Sequence, residues 1–329
     1  MASRESDWEG VRLHVVTGKG GTGKTTVAAA LALALSGRGR RTLLVEIEDR
    51  QGIAQLFDVP PLPYEERKVA AGPGGGDVFA LAVDAEAALL EYLDMFYKLG
   101  RAGRALRRIG AIDFATTIAP GMRDVLLTGK IYEAVRRKKA GRPVYDAVVL
   151  DAPPSGRITR FLGVNQEVAG LAKVGPIRGQ ADSIMGLLTS PQTAVHLVTL
   201  LEEMPVQETC DAIEELTAAG LPVGGVVING VRAPLLKQAD LSAAAKGRLD
   251  PTVVRDGLAA AGVAFREGVV EALIDEAREH AVRVALEKSG RRTLKALNRP
   301  TYELPLLAEG VDLGGLYALA ERLNQQGAA

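Results

Sequence analysis

A glycine-rich run at residues 18–26 constrains the fold of this chain more than any other feature. It reads Gly18-Lys19-Gly20-Gly21-Thr22-Gly23-Lys24-Thr25-Thr26. The apolar residues before it, 13–17, are typical of a buried strand, and residues 26–35 after it are typical of a buried helix. Strand, glycine turn and helix form the context in which a G-x-x-x-x-G-K-[ST] run binds phosphate. A flexible turn that binds nothing is the alternative.

The residue types in this run suit a nucleotide triphosphate. Glycines let the backbone bend until several N–H groups point at one anion, and the following helix directs its positive dipole end at the same phosphates. Lys24 is placed to reach the β- and γ-phosphates, and the Thr25 hydroxyl to join a Mg²⁺ shell. We therefore expect ATP and Mg²⁺ as cofactors, with residues 18–26 as the phosphate contacts.

A second candidate site residue, Asp151, ends the apolar run 145–151 and is followed by Ala152-Pro153-Pro154-Ser155-Gly156-Arg157. An apolar strand that ends in aspartate supports Mg²⁺ in P-loop nucleotidases. Prolines and a glycine directly after it suit a loop that rearranges when a γ-phosphate is present. Asp151 could instead cap the next segment.

Composition excludes several classes of protein. The chain has 40 basic and 40 acidic residues, so its overall charge predicts neither nucleic-acid nor anionic-membrane binding. The longest apolar run, 27–35, is far shorter than the ~20 residues of a membrane span, and the polar first ten residues do not resemble a signal peptide. A single cysteine, Cys210, excludes an intrachain disulfide framework. We expect a cytoplasmic protein that is not integral to a membrane.

Strand-like and helix-like patterns alternate along the chain, which predicts an α/β fold with a doubly wound, mostly parallel sheet flanked by helices. We treat residues 1–329 as one domain, with helical additions at 84–140 and 233–297. Prolines and glycines at 60–63 and 72–76 predict a loop without regular structure between them. The predicted strands are 13–17, 42–47, 78–83, 145–151, 194–200, 223–228 and 302–304; the predicted helices include 25–35, 85–99, 122–138, 206–218, 313–324 and a long one from about 265 to 297.

Lys19, one residue after the first glycine, gives the loop a second lysine and makes it resemble the deviant P-loop ATPases. That resemblance implies a dimer in which Lys19 crosses the interface to the phosphates of the facing subunit. A solvated loop charge is the alternative. Residues 151–162 resemble the D-T-A-P-T-G-H-T-L-R-F/L-L switch of one branch, which comprises the arsenite-pump ATPases and the ATPase that targets tail-anchored membrane proteins.

The same resemblance implies an adenine site near the end of the chain. Val226-Val227-Ile228-Asn229 is similar to the strand whose asparagine reads adenine in that branch, and Leu304-Pro305-Leu306-Leu307 is similar to the loop that packs on the ring. Asn229, Pro305 and Leu306 are therefore candidate adenine contacts. Asn229-Gly230 is also a good turn dipeptide in its own right.

Three departures from the branch limit what the resemblance implies. Glu48 stands where the branch has the aspartate that activates the attacking water, and an extra methylene in an attack geometry predicts slow turnover. Arsenite binding through three thiolates and zinc binding through a C-x-x-C are both excluded by the single cysteine. Methionines are few in residues 84–140, which argues against a groove for membrane-protein clients.

The sequence therefore predicts a Mg²⁺-dependent ATPase that acts as a dimeric switch on an unknown protein client, as a homodimer or with a paralogous ATPase. Lys19, Lys24 and Glu48 are its candidate catalytic residues, and Thr25 and Asp151 its metal residues. A non-catalytic nucleotide-binding subunit and a small-molecule kinase or ligase are the alternatives.

Overall fold

Eight strands form one sheet in the computed structural model, which describes residues 7–48, 50–97, 121–171, 176–266 and 268–329. The sheet order is β10-β9-β8-β1-β7-β2-β4-β3, and neighbouring strands are parallel except for the antiparallel pair of β3 and β4. The strands are β1 Leu13–Gly18, β2 Arg41–Glu46, β3 Arg67–Ala71, β4 Asp77–Ala82, β7 Ala147–Asp151, β8 Thr193–Thr199, β9 Val223–Val231 and β10 Thr301–Pro305, and a separate hairpin pairs β5 Lys138–Lys139 with β6 Arg142–Pro143.

Helices connect most of the parallel strands, as crossovers in such a sheet require. In the described part of the chain they are α1 Lys24–Leu35, α2 Gly52–Leu56, α3 Ala85–Tyr97, α4 Met122–Arg136, α5 Ser155–Leu171, α6 Pro176–Leu188, α7 Glu203–Ala218, α8 Gln238–Ala245, α9 Pro251–Ala260, α10 Val269–Ala296 and α11 Leu313–Gln325.

The sheet is covered on both faces, which explains why its central strands are apolar almost throughout. In β1, Leu13 and Val15 join one core cluster together with residues of α4, α5, α6 and α7. Val16 joins the other cluster, on the face covered by α1 and α11. The predicted doubly wound fold is confirmed.

One prediction about the fold is wrong. Residues between the breaker-rich stretches at 60–63 and 72–76 form strand β3, where we expected no regular structure. The strand pairs with β4 at the sheet edge, and Lys68 forms an ion pair with Asp77 at 2.5 Å. Positive charges are common on edge strands because they discourage pairing with another chain. The strand begins with the charged Arg67-Lys68, so its sequence lacks the apolar pattern from which we predicted the other strands.

The structure describes part of each of the two predicted helical additions. Helices α3 and α4 occupy the first, and residues 98–120 between them, including the end of the helix predicted for 85–99, lie outside the described residues. Helices α8, α9 and α10 occupy the second, and α8 and α10 share a small cluster of Leu241, Ala244 and Ala281. None of the helices in the described residues is long and apolar enough to cross a membrane.

Candidate nucleotide site

The phosphate loop leaves the carboxyl end of β1, the central strand between β8 and β7. Gly18 has φ 153°, and a Cβ there would overlap the carbonyl oxygen of Val198 on β8. Gly21 and Gly23 have φ of 86° and 84°, in the left-handed region that glycine tolerates. The Thr22 hydroxyl donates to the Lys19 carbonyl oxygen at 2.9 Å and closes the turn. The glycine spacing is therefore a backbone requirement.

Lys24, Thr25 and Asp151 meet at the start of α1, as the sequence predicts. The Thr25 hydroxyl donates to Asp151 Oδ2 at 2.6 Å. Burial raises the pKa of Asp151 to about 6, although the Thr25 hydrogen bond and the Lys24 charge favour its ionised form. Burial also lowers the pKa of the Lys24 ammonium, against the attraction of the Asp151 and Glu48 carboxylates. A cation beside Asp151 would offset the cost of its burial.

Glu48 follows the end of β2, which lies on the same side of β1 as the strand that carries Asp151. Its carboxylate acts electrostatically on both Lys24 and Asp151, raising the pKa of each. It also forms an ion pair with Arg50 at 3.4 Å, where the Arg50 side chain is 78% exposed. An exposed partner of this kind holds a carboxylate only weakly. Glu48 is therefore close enough to act on Lys24 and Asp151, and its ion pair restrains it only weakly.

Sequence reasoning missed Glu46, the last residue of β2. It is 4% exposed, and its Oε1 accepts a hydrogen bond from the Gly52 amide at 2.8 Å. Register places it beside Asp151 on β7. Glu46 thus fixes both ends of the segment that carries Glu48. The available signal was a carboxylate inside an apolar strand, Thr42-Leu43-Leu44-Val45-Glu46, since a buried charge needs a specific partner.

The Lys19 side chain forms its ion pair with a residue outside the phosphate loop. Its Nζ contacts Glu208 Oε1 on α7 of the same chain at 2.6 Å. This arrangement differs from the solvated loop charge that we considered as an alternative. It also shows the lysine engaged within its own chain, whereas the resemblance implied contact with a facing subunit.

Two of the candidate adenine residues lie on the neighbouring strands β9 and β10, and Leu306 directly follows β10. Asn229 on β9 donates from Nδ2 to the Thr22 carbonyl oxygen at 2.9 Å, so it ties that strand to the phosphate loop. Pro305 ends β10, and the Leu306 amide donates to the Val231 carbonyl oxygen at 2.9 Å. The Leu306 side chain is 50% exposed. An exposed apolar residue beside an amide is a suitable surface for a heteroaromatic ring.

Comparison with known proteins identifies the family. The family model described as "Anion-transporting ATPase" matches residues 11–191. The ATPase BagA of Mycobacterium tuberculosis is 59% identical over 319 residues, which cover 97% of this chain and 94% of that protein. The chain belongs to the anion-transporting ATPase family. It is an ATPase.

More distant relatives of this ATPase share less of their length with it. An arsenical pump-driving ATPase of Acidiphilium multivorum is 26% identical over 253 residues, covering 70% of this chain and 41% of that protein. One of Escherichia coli is 26% identical over 239 residues, covering 65% and 38%. The chain therefore spans less than half the length of these two relatives.

The family match covers one part of the site and not the other. Residues 11–191 include the phosphate loop, Glu48 and Asp151. Asn229, Pro305 and Leu306 lie beyond it, so their assignment to adenine remains a prediction from the resemblance and from their position next to the loop.

Proposed function

We propose that this ATPase is Mg²⁺-dependent and works as a dimeric switch, in which ATP closes two subunits on each other and hydrolysis separates them. The observation that carries the proposal is the 2.6 Å hydrogen bond from Thr25 to Asp151 beside Lys24 at the start of α1. A cation, a hydroxyl and a carboxylate thus lie together at the position where the β- and γ-phosphates of a bound nucleotide would lie.

The residues present fit Mg²⁺. A hydroxyl and a carboxylate are hard oxygen ligands, and Asp151 is a buried carboxylate whose ionisation burial disfavours. Mg²⁺ usually takes one or two protein oxygens and completes its shell with water and phosphate, so a large acidic cluster is not needed. Thr25 would hold the ion directly and Asp151 would support it. When bound, Mg²⁺ neutralises charge on the phosphates during transfer.

The other residues supply orientation and charge. The loop amides and Lys24 bind the phosphates. Glu48 orients the attacking water and accepts its proton, and Glu46 holds the segment on which Glu48 lies. Lys19 acts on the facing subunit, where a cation would neutralise charge in the way an arginine finger does. Asn229, Pro305 and Leu306 contact adenine.

The partner subunit is a second copy or a paralogous ATPase, and the client is a protein. Its contact surface would be built from α3, α4 and the helices α8 to α10, which occupy the helical additions predicted at 84–140 and 233–297. We place the protein in the cytoplasm, where ATP is available and a single cysteine needs no oxidised partner. Arsenical pumping, named for the distant relatives, is not carried over, because three thiolate ligands cannot come from one cysteine per chain.

Hydrolysis and binding in two variants test the proposal. Lys24→Ala should lose ATP binding, whereas Glu48→Gln should bind ATP, stay dimeric in light scattering and hydrolyse at least about 100-fold more slowly. Wild-type hydrolysis should stop in EDTA. Tight ATP binding without turnover at any protein concentration would instead indicate a non-catalytic subunit.

A mixing experiment tests Lys19 in trans. Lys19→Ala and Glu48→Gln subunits are each expected to be inactive. A mixed dimer contains one site with an intact Glu48 and a facing intact Lys19, so equal mixing should restore about a quarter to a half of the activity per site. Activity no higher than the sum of the separate variants would refute action across the interface.

A further inference from the structure

The ion pair between Lys19 and Glu208 occupies the lysine that the proposed switch needs elsewhere. The ammonium and carboxylate are 2.6 Å apart, and their side chains are 31% and 36% exposed. A lysine engaged in this way cannot also reach the phosphates of a facing subunit. Some step must therefore break the pair before the dimer closes.

Both partners sit on fixed backbone. The Lys19 carbonyl oxygen accepts from the Thr22 hydroxyl at 2.9 Å and from Lys24 Nζ at 3.4 Å, so the loop is held at the residue that carries the ammonium. Glu208 lies in α7, next to Thr209, whose buried hydroxyl donates to the Pro205 carbonyl oxygen. Release of the pair therefore needs only rotation of the two long side chains.

The surroundings of Glu208 favour the paired state. Other exposed carboxylates on helix α7 include those of Asp211, Glu214 and Glu215. The helix, Glu203–Ala218, contains no basic residue. An acidic helix surface attracts a cation even at its edge. A triphosphate brings more negative charge than one carboxylate, so a second nucleotide site at close range can draw Lys19 away.

We propose that Glu208 is a positioning residue that latches Lys19 within its own chain and so opposes dimer closure until ATP is bound in the facing subunit. The inference rests on the proposed function, because it assumes that Lys19 acts in trans. It adds a residue outside the phosphate loop that sets the protein concentration at which the ATPase becomes active.

The expected size of the effect follows from exposure. Ion pairs exposed to this degree change an equilibrium by about two- to fivefold. A symmetric dimer breaks two such pairs on closing, so removal of the latch should lower the dimer dissociation constant by about four- to 25-fold. Salt screens the pair, so the difference should shrink between 0.05 and 0.5 M NaCl, concentrations chosen for their Debye lengths of roughly 14 and 4 Å.

The test compares Glu208→Gln with Glu215→Gln in a Glu48→Gln background, so that ATP persists. Both substitutions remove one charge from the same helix, and only the first touches Lys19. Sedimentation equilibrium in Mg²⁺ and ATP should show tighter dimers for Glu208→Gln alone, and Glu208→Asp should lie between it and the parent. Binding of a fluorescent ADP analogue should be equal in all variants, which verifies that each is folded.

Two results would overturn the latch. Looser dimers in Glu208→Gln would mean that Glu208 serves the closed state, and an effect equal to that of Glu215→Gln would mean that only net charge matters. Measuring dimerisation of Lys19→Ala as well distinguishes failure of the latch from failure of the proposed dimeric switch. If Lys19→Ala weakens ATP-dependent dimerisation while Glu208→Gln has no specific effect, the latch alone is wrong. If no variant dimerises with ATP, both proposals are wrong.

Discussion

Replacing Asp151 with asparagine should stabilise the nucleotide-free protein while it abolishes hydrolysis. Asp151 ends β7 in contact with Thr25, and burial raises the pKa of its carboxyl to about 6 from the ordinary 3.8. A folded-state pKa above the unfolded value means that the ionised carboxylate destabilises the fold. Asparagine keeps the acceptor oxygen for Thr25 and has no charge to bury.

The magnitude follows from the two pKa values. Well below pH 3.8 the carboxyl is neutral in both folded and unfolded chains, so it costs little. As pH rises, the unfolded chain ionises first and the folded state loses stability until it too ionises near pH 6. Because the folded and unfolded pKa values differ by roughly two, the penalty grows from under about 1 kcal/mol at pH 4 to about 3 kcal/mol at pH 8. The stabilisation by Asp151→Asn should follow the same curve.

Urea unfolding at several pH values measures this effect in EDTA without nucleotide. Asp146→Asn is the matched control, because Asp146 is exposed and its carboxylate accepts from the Arg41 amide at 2.8 Å. That variant should lose a little stability with no comparable gain at high pH. The reasoning fails if Asp151→Asn is less stable than the wild type at pH 8, or if its advantage is the same at pH 5 and pH 8.

Three further substitutions test the scaffold. Gly18→Ala should abolish nucleotide binding, because the new Cβ would overlap the backbone of β8. In the control Gly20→Ala the new Cβ meets no atom within 4 Å, so this variant should bind nucleotide nearly normally. Binding of a fluorescent ADP analogue measures both. Asn229→Ala removes the hydrogen bond between β9 and the loop, so binding should weaken about fivefold, roughly 1 kcal/mol, by calorimetry. Lys130→Met removes the cation that pairs with Glu91, where the two side chains are 14% and 37% exposed, and should lower the free energy of unfolding by about 1 to 2 kcal/mol. The more exposed pair of Lys68 should lose under ~1 kcal/mol in Lys68→Ala.

The central sheet could be predicted because its strands are apolar and separated by helical segments. Each predicted strand has a counterpart, with ends that move by a few residues; the run predicted at 145–151 begins at Ala147 in the sheet. The edge strand β3 and the hairpin of β5 and β6 were missed for a common reason. Both are short and carry basic residues, so neither shows the alternation of apolar and polar residues that marks a half-buried strand.

The placement of three candidate site residues was predictable from their positions at the ends of strands and loops. Lys24 and Thr25 follow the last glycine directly, and Asp151 ends its strand, so parallel neighbours bring them together. The partners of Glu46 and Lys19 were not predictable. Glu46 bonds to a backbone amide six residues away around a turn, and Glu208 is separated from Lys19 by 189 residues. Such contacts depend on how a helix or a loop packs on the sheet, which one sequence does not reveal.

Under the proposed function, the two sides of the phosphate loop that the sheet order defines have different tasks. Asp151 and Glu48 follow β7 and β2 on one side of β1, and Lys24 faces them. Glu208 belongs to the helix after β8 on the other side, and Lys19 faces it. Since the two lysines are separated by a loop whose glycines fix its path, substitutions on the Glu48 side should change the rate per closed dimer. Substitutions on the Glu208 side should change how many dimers close, and a protein-concentration series of hydrolysis rates separates the two effects.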